Sequence, residues 1–446
     1  MSDLLSIGAS GVRAYQTALT TVSENIANAG NASYVRRSTN LTEVATSNGY
    51  STGLNGMGVV VNGIGRNSNP YTETSVRSAG ADLAKTQAST VWLQRVESAM
   101  SGGDLSTRLN SYFAAGTALQ AEPTSTALRA GMLSAASSVA DSFGTTARAL
   151  DDAMTELNAR ATQASDDLTR LNQALLKVNQ GLVKVTPGTS AAAGLQDQRD
   201  NLLEQMSALT DVNVSLDSFG RATVRAGGSN GTVLVDSREA AQVVFQQSNG
   251  NVALSAQRED GSSTLFSPEG GALAGMVEGA QRIASARGQI NAIATSFTSD
   301  MNDLQKAGQD LNGATGTDLF TVSASDPAMV SVALTSGSQI AAAKNNGGQR
   351  DSSNLADLAA LRTSAGYETQ VQTVVTDNAA TLKQRQLVVD AQTAIHDGAV
   401  TARSEASGVN LDSEAIDLAR FQQAYQASSR VIQVARDTFQ SILELR

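Results

Sequence analysis

The chain has 446 residues, with 32 Lys and Arg against 42 Asp and Glu for a net charge of −10, and aromatics are only 4% of a composition that is 41% hydrophobic. That length allows several domains, and the shortage of rings means a core built mainly from Ala, Val, Leu and Ile, which suits helix-on-helix packing. The acidic balance opposes counterion-release binding to nucleic acid or to an anionic membrane surface, and the absence of cysteine excludes disulfides, thiolate catalysis and Cys-bound metals.

The opening Met1, Ser2, Asp3 lacks the basic start of a cleavable signal, Arg13 interrupts the first apolar region, and no run approaches the about 18 apolar residues of a membrane helix. The expectation is a cytoplasmic protein, or one exported by a route that reads no such signal. Leu5, Gly8, Val12, Tyr15, Leu19, Val22 and Ile26 alternate spacings of three and four, which predicts a seam helix stopping near Asn28, Ala29 and Gly30. An extended, turn-rich stretch follows, where Gly53, Gly56, Gly58, Gly63 and Gly65 punctuate a short strand at Val59, Val60 and Val61. Helices are predicted over 71–100 and 104–120, and a very long one whose start is marked by Thr124, Ser125 and Thr126, with Pro123 near its first turn, to about Val185, broken near Gly144 and ended by Pro187 and Gly188.

After a further helix over 191–209 the period changes to two: Val212, Val214 and Leu216, then Ala222, Val224 and Ala226, then Val233 and Val235, Val243 and Phe245, Val252 and Leu254. This predicts an all-β insert with turns at 218–220, 227–231 and 248–250. Helical spacing resumes near Ala272, a loop spans Gly308 to Thr317, a mixed segment holds Pro327, and a long polar helix covers 367–404. Finally Leu411, Leu418, Tyr425, Ile432 and Phe439 recur every seven residues, with Phe421, Ala435 and Ile442 between them. The expected fold is mainly α: a long helical bundle built from both chain ends, a terminal coiled coil plus a helical body, with a small inserted all-β domain. The corresponding divisions are 1–40 with 405–446, 41–209 with 272–404, and 210–271.

Motifs for chemistry are weak. Gly227, Gly228, Ser229, Asn230 and Gly231 fit a nucleophile elbow formally, but strands flank them on both sides where the elbow needs a following helix. The single histidine, His396, sits in the polar helix as a surface residue. Gly56, Met57 and Gly58 begin like a dinucleotide fingerprint, yet Val61 stands at the third glycine position. The acidic pairs Asp151 with Asp152 and Asp166 with Asp167 lie on helix faces without calcium-loop spacing. No catalytic, cofactor or metal site is expected, which leaves an interaction surface. Chain ends fray unless tied down, and Gly8 and Gly11 weaken an isolated helix. Each terminal segment is therefore expected to be disordered alone and to fold against the other end and neighbouring subunits.

The run Gly8 to Val12, then Ser23, Glu24, Asn25, Ile26, Ala27 and Asn28 through Tyr34 and Arg36, resembles the start of bacterial flagellar axial proteins. Ser407 to Asp412 and Phe421 to Ala427 are similar to their C-terminal signature, while Leu195 to Asp200 with Leu202 and Leu203, and the Asp310 to Gly313 loop, resemble the FlgK family of hook-associated proteins in particular. Two departures are visible: Ala32 and Ser33 stand where the family commonly has Thr-Pro-Gly before the tyrosine, and the chain is short for the family, so an outer domain of longer members is expected to be missing.

The resemblance implies a structural, non-enzymatic protein outside the cell at the hook–filament junction, secreted unfolded by flagellar type III export. Its implied partners are copies of itself in a helical assembly, hook protein, a FlgL-like second junction protein, and a FlgN-like export chaperone on about 408–446, with no nucleic acid and no membrane. The subunit-interaction seam would be Leu5, Val12, Tyr15, Leu19, Val22, Ile26, Leu411, Leu418, Phe421, Tyr425, Ile432, Phe439 and Ile442. Alternatives are a flagellin-like, second-junction or hook protein, and, from another class, a cell-wall hydrolase.

Overall fold

The computed structural model describes residues 2–31, 33–44, 58–248 and 250–444. Ala32, Gly53, Gly56 and Met57 lie outside the described residues. In chain order the elements are α1 (Ser2–Ala27), β1 (Arg37–Glu43), β2 (Val59–Arg66), α2 (Pro70–Gly102), α3 (Leu105–Ala121), α4 (Thr126–Leu182) and α5 (Ser190–Leu209). Six strands follow, β3 (Val212–Leu216), β4 (Ala222–Ala226), β5 (Thr232–Val235), β6 (Gln242–Ser248), β7 (Asn251–Gln257) and β8 (Ser263–Phe266), before α6 (Gly271–Ala307). The short strands β9 (Gly308–Gln309), β10 (Phe320–Ser323), β11 (Asp326–Val332) and β12 (Ala343–Lys344) precede α7 (Ser353–Ala365), α8 (Tyr367–Ser407) and α9 (Leu411–Glu444).

Local chemistry sets the helix boundaries. Asn69 accepts from the Tyr71 N–H with Pro70 in the first turn, Ser125 accepts from the Leu128 N–H, and Thr189 accepts from the Ala192 N–H, so each supplies a partner to an otherwise orphaned donor. Gly366, at φ 61, supplies the left-handed corner between α7 and α8 that a side chain would strain. The expected break near Gly144 is absent: α4 runs for 57 residues. Phe143, Ala147 and Leu150 beside that glycine are fully buried, and their packing outweighs a propensity deficit of about 1 kcal/mol.

The body is a bundle of α2, α3, α4, α6, α7 and α8 over one apolar core. Phe297 of α6 is its centre, with the rings of Tyr112, Phe113, Phe143, Phe320 and Tyr367 at centroid distances from 5.3 to 6.4 Å. Few as they are, the aromatics are concentrated at one node, while Ala, Leu, Val and Ile carry much of the remaining core.

The β insert forms two antiparallel three-stranded sheets, ordered β3-β4-β5 and β6-β7-β8. Their buried faces do not close on themselves alone: Val224, Leu234, Val243 and Leu254 share a core with Leu168 and Leu175 of α4 and Leu203 and Met206 of α5. Two buried asparagines of α4 pin the strands. The Asn179 amide donates to the Ala222 carbonyl (2.8 Å) and accepts its N–H (2.9 Å), and Asn172 donates to the Ala241 carbonyl (2.9 Å).

Replacing Phe297 with Ala removes the ring that the five others touch, and is expected to cost about 3–5 kcal/mol of stability. Chemical denaturation followed by the fluorescence of Trp92, the sole tryptophan and a buried body residue, measures it.

Candidate subunit-interaction site

The two ends of the chain meet as an antiparallel helix pair. Along the pair, Gly8 of α1 lies against Ile432 of α9, Gly11 against Ser428, the Tyr15 ring 6.4 Å from that of Phe421, and Asn25 beside Glu414. The two glycines make this approach possible. A Cβ on Gly8 would stand 2.7 Å from Ile432 Cγ1 and 3.3 Å from the Ser428 carbonyl oxygen, and one on Gly11 would stand 2.6 Å from Ser428 Oγ. The residues that weaken α1 in isolation are thus the ones that admit its partner.

The buried line of α1 consists mostly of small and polar side chains: Gly8, Gly11, Ala14, Ala18, Thr21 and Asn25, with Val22 at its edge. The larger residues of the sequence seam flank it. Val22 is buried and Val12, Tyr15, Leu19 and Ile26 are half-buried, while Leu5 is exposed. On α9, Leu418, Phe421, Tyr425 and Ile432 are half-buried, Ala435 is buried, and Leu411, Phe439 and Ile442 are exposed. The structure therefore brings the middle of the seam together and leaves both its extremities open. It adds apolar residues that the heptad pattern did not select: Leu4, Val431 and Leu443 are exposed, and Ile416 and Val434 are 69% and 64% exposed on the side of α9 away from α1. A second stripe at 416, 427, 431 and 434 was present in the sequence, hidden by the stronger seven-residue repeat beside it.

A buried polar lock closes the far end of the pair. Asn25 uses all four of its hydrogen-bonding positions. Its Nδ2 donates to the Arg37 carbonyl (2.8 Å) and to Glu414 Oε2 (2.9 Å), and its Oδ1 accepts from the Arg37 N–H (3.0 Å) and the Tyr34 hydroxyl (2.8 Å). Glu414, fully buried, also takes the Arg36 Nε at 2.6 Å, and Arg36 reaches on to Asp417 at 3.2 Å. Burial pushes the Tyr34 hydroxyl up to about 12, and Arg37, whose guanidinium lies 4.7 Å from the Tyr34 ring centre, opposes that rise. The turn that delivers Tyr34 is held by Asn31, whose Oδ1 accepts from the Ser33 N–H and hydroxyl and whose carbonyl accepts from the Tyr34 N–H. Behind the pair, β1 and β2 form an antiparallel ladder from Arg37↔Arg66 to Glu43↔Val59. Its Thr39 hydroxyl donates to that of Thr21, and Ser10 Oγ accepts from the Val59 N–H.

Ser229 lies in the turn between β4 and β5, and His396 lies on α8 with its ring against Gly80 of α2. No hydrogen bond or ion pair joins the two among the described residues, and no group of three or more potential metal ligands occurs there.

Two terminal helices closing on one another around an inserted body define an axial-type structural subunit. Residues 93–320, more than half of the chain, match the family described as the flagellar hook-associated protein FlgK helical domain. Residues 400–445 match the C-terminal region of the flagellar basal body rod FlgEFG proteins. The chain belongs to the FlgK family of flagellar hook-associated proteins. Flagellar hook-associated protein 1 of Escherichia coli K12 is 25% identical over 72% of this chain and 60% of its own length, so the chain spans about three-fifths of that relative. Its counterpart in Bacillus subtilis is 24% identical over 96% of this chain and 95% of its own length. The solved flagellar hook junction protein FlgK of Burkholderia pseudomallei aligns with a TM-score of 0.51 at 19% identity, over 56% of this chain and 47% of that one, a likeness of fold.

Replacing Gly11 with Val drives a side chain into Ser428 and is expected to cost the helix pair about 1–3 kcal/mol. The measurement is limited proteolysis, with faster trimming beyond residue 405 than in the parent and an unchanged Trp92 unfolding transition.

Proposed function

We propose that this chain is a structural, non-catalytic junction subunit that polymerises at the tip of the flagellar hook and acts as a mechanical adaptor between hook and filament. The observation that carries this reading is the terminal pair itself. Its apolar residues are only partly consumed within the chain, and Leu5, Ile416, Val434, Phe439 and Ile442 remain exposed on a surface that water disfavours. In this reading 1–40 with 405–446 form the inner tube, 41–209 with 272–404 the outer helical body, and 210–271 an inserted β domain. Of the thirteen seam residues Val22 is buried within the chain, and the other twelve, with Ile416 and Val434, meet neighbouring copies.

Hook protein is the proximal neighbour and a FlgL-like protein the distal one. The chain leaves the cell through flagellar type III export, escorted by a FlgN-like chaperone on 408–446, and works outside the cell at the hook–filament junction. The exposed extremities of the pair harden on assembly, because neighbours supply the burial that one chain leaves incomplete there.

Val434→Asp tests the reading. The site is exposed, so the change is expected to shift monomer stability by no more than about 0.5 kcal/mol. Supplied to cells lacking their own copy, the variant is expected to abolish swimming and to appear in the medium unassembled. Ser229→Ala with His396→Ala is expected to swim normally; lost motility with normal assembly would instead favour the hydrolase.

A further inference from the structure

The α1–α9 pair, taken together with the β1–β2 ladder that packs on α1 although most of it falls within 41–209, forms a terminal unit whose boundary with the helices from α2 to α8 has its own chemistry. Both clusters of buried apolar residues are drawn from α2 to α8 and the strands between them, and the described residues of α1, β1, β2 and α9 contribute to neither. The backbone crosses the boundary twice, through 67–69 and 408–410.

Charge holds it instead. Asp197 and Asp200 stand three residues apart on α5 and so share one face of that helix. Asp197 takes Arg37 of β1 at 3.0 Å and Arg66 of β2 at 2.8 Å, and Asp200 takes Arg66 at 2.8 Å. All four side chains are nearly enclosed, Arg66 at 5% exposure and Asp197 at 12%. Glu24 of α1 pairs with Arg37 at 3.2 Å and accepts the Ser190 hydroxyl at 3.1 Å, and the Ile64 N–H donates to the Gly188 carbonyl at 2.7 Å. Neighbouring Arg199 holds Asp200 and the Gly220 carbonyl, which ties the acidic pair to the β insert. Burial raises the Asp197 carboxyl above its usual value in spite of both arginines, so its charge depends on keeping them.

We propose that Arg37 and Arg66, gripping Asp197 and Asp200, form an ion-pair clamp that positions the terminal unit on the body and fixes the angle between them. Ion pairs with fork geometry are directional, whereas among the described residues neither apolar cluster spans the boundary to keep the angle once they are lost. Asp197 is the positioning residue, since it alone joins both strands of the β1–β2 ladder to α5. The clamp concerns the shape of a single chain and stands whether or not that chain acts at the hook–filament junction.

The absence of cysteine allows two spin labels to be placed by Thr42→Cys on β1 and Ala118→Cys on α3, both exposed positions. Electron spin resonance on the full chain should give one narrow distance distribution in the parent. Asp197→Asn is expected to widen it at least twofold with no change in the Trp92 unfolding midpoint of the body, and Asp197→Glu to restore it. A broad distribution in the parent, or an equally narrow one in Asp197→Asn, overturns the proposal. If Asp197→Asn does not fold, Arg66→Gln, which releases both acids from β2, is read in its place: widening supports the clamp, and an unchanged width overturns it.

Discussion

The architecture depends on the close approach of the two ends of one chain, and that approach rests on the absence of side chains at Gly8 and Gly11. Helix pairs pack at a separation set by the side chains at the contact line. On α1 that line is Gly8, Gly11, Ala14 and Ala18, which lets Ile432 and Ser428 of α9 come against the α1 backbone. Glycine costs helical stability, so α1 is a poor helix until α9 covers it. The ends are thereby coupled: each supplies the other with contacts that neither can make within its own segment.

Much of this was legible in the sequence where the signal was local. Helical pattern from Tyr71 and Ala191, and the start signals at Thr124 to Thr126, placed the starts of α2, α5 and α4 to within a residue or two, and the change of period at Val212 located the β insert. Strand β1 was not legible, because Ser38, Thr39, Asn40 and Thr42 offer no apolar alternation; β2 and the Thr21 hydroxyl give it a place. Helix α7 was lost inside a mixed segment, since only Asn354, Leu355 and Leu358 of its 13 residues are buried.

The seam was visible at both ends, but its large residues proved to flank the contact line, with smaller ones forming it. The polar lock could not be read from spacing at all. Asn25 and Glu414 are 389 residues apart, and Arg37 and Asp197 are 160 apart. At such separations only the completed fold decides which charge meets which. Resemblance nonetheless marked Asn25 and the Leu195 to Asp200 run, and the geometry supplies the reason. One satisfies four hydrogen-bonding positions between the chain ends, and the other carries the acids that face Arg37 and Arg66.

The most direct test of the helix pairing uses the chain's lack of cysteine. In the parent background, Gly11→Cys with Ser428→Cys places two sulfurs at one point of contact, where a Cβ on Gly11 would lie 3.1 Å from that of Ser428, so that the helices need part by only a few tenths of an ångström to reach disulfide separation. Gln16→Cys with Ser428→Cys puts the first sulfur on the exposed face of the same helix. Mild oxidation should close an intramolecular disulfide rapidly in the first pair and slowly, if at all, in the second. Equal rates in both pairs would contradict the antiparallel register on which the rest depends.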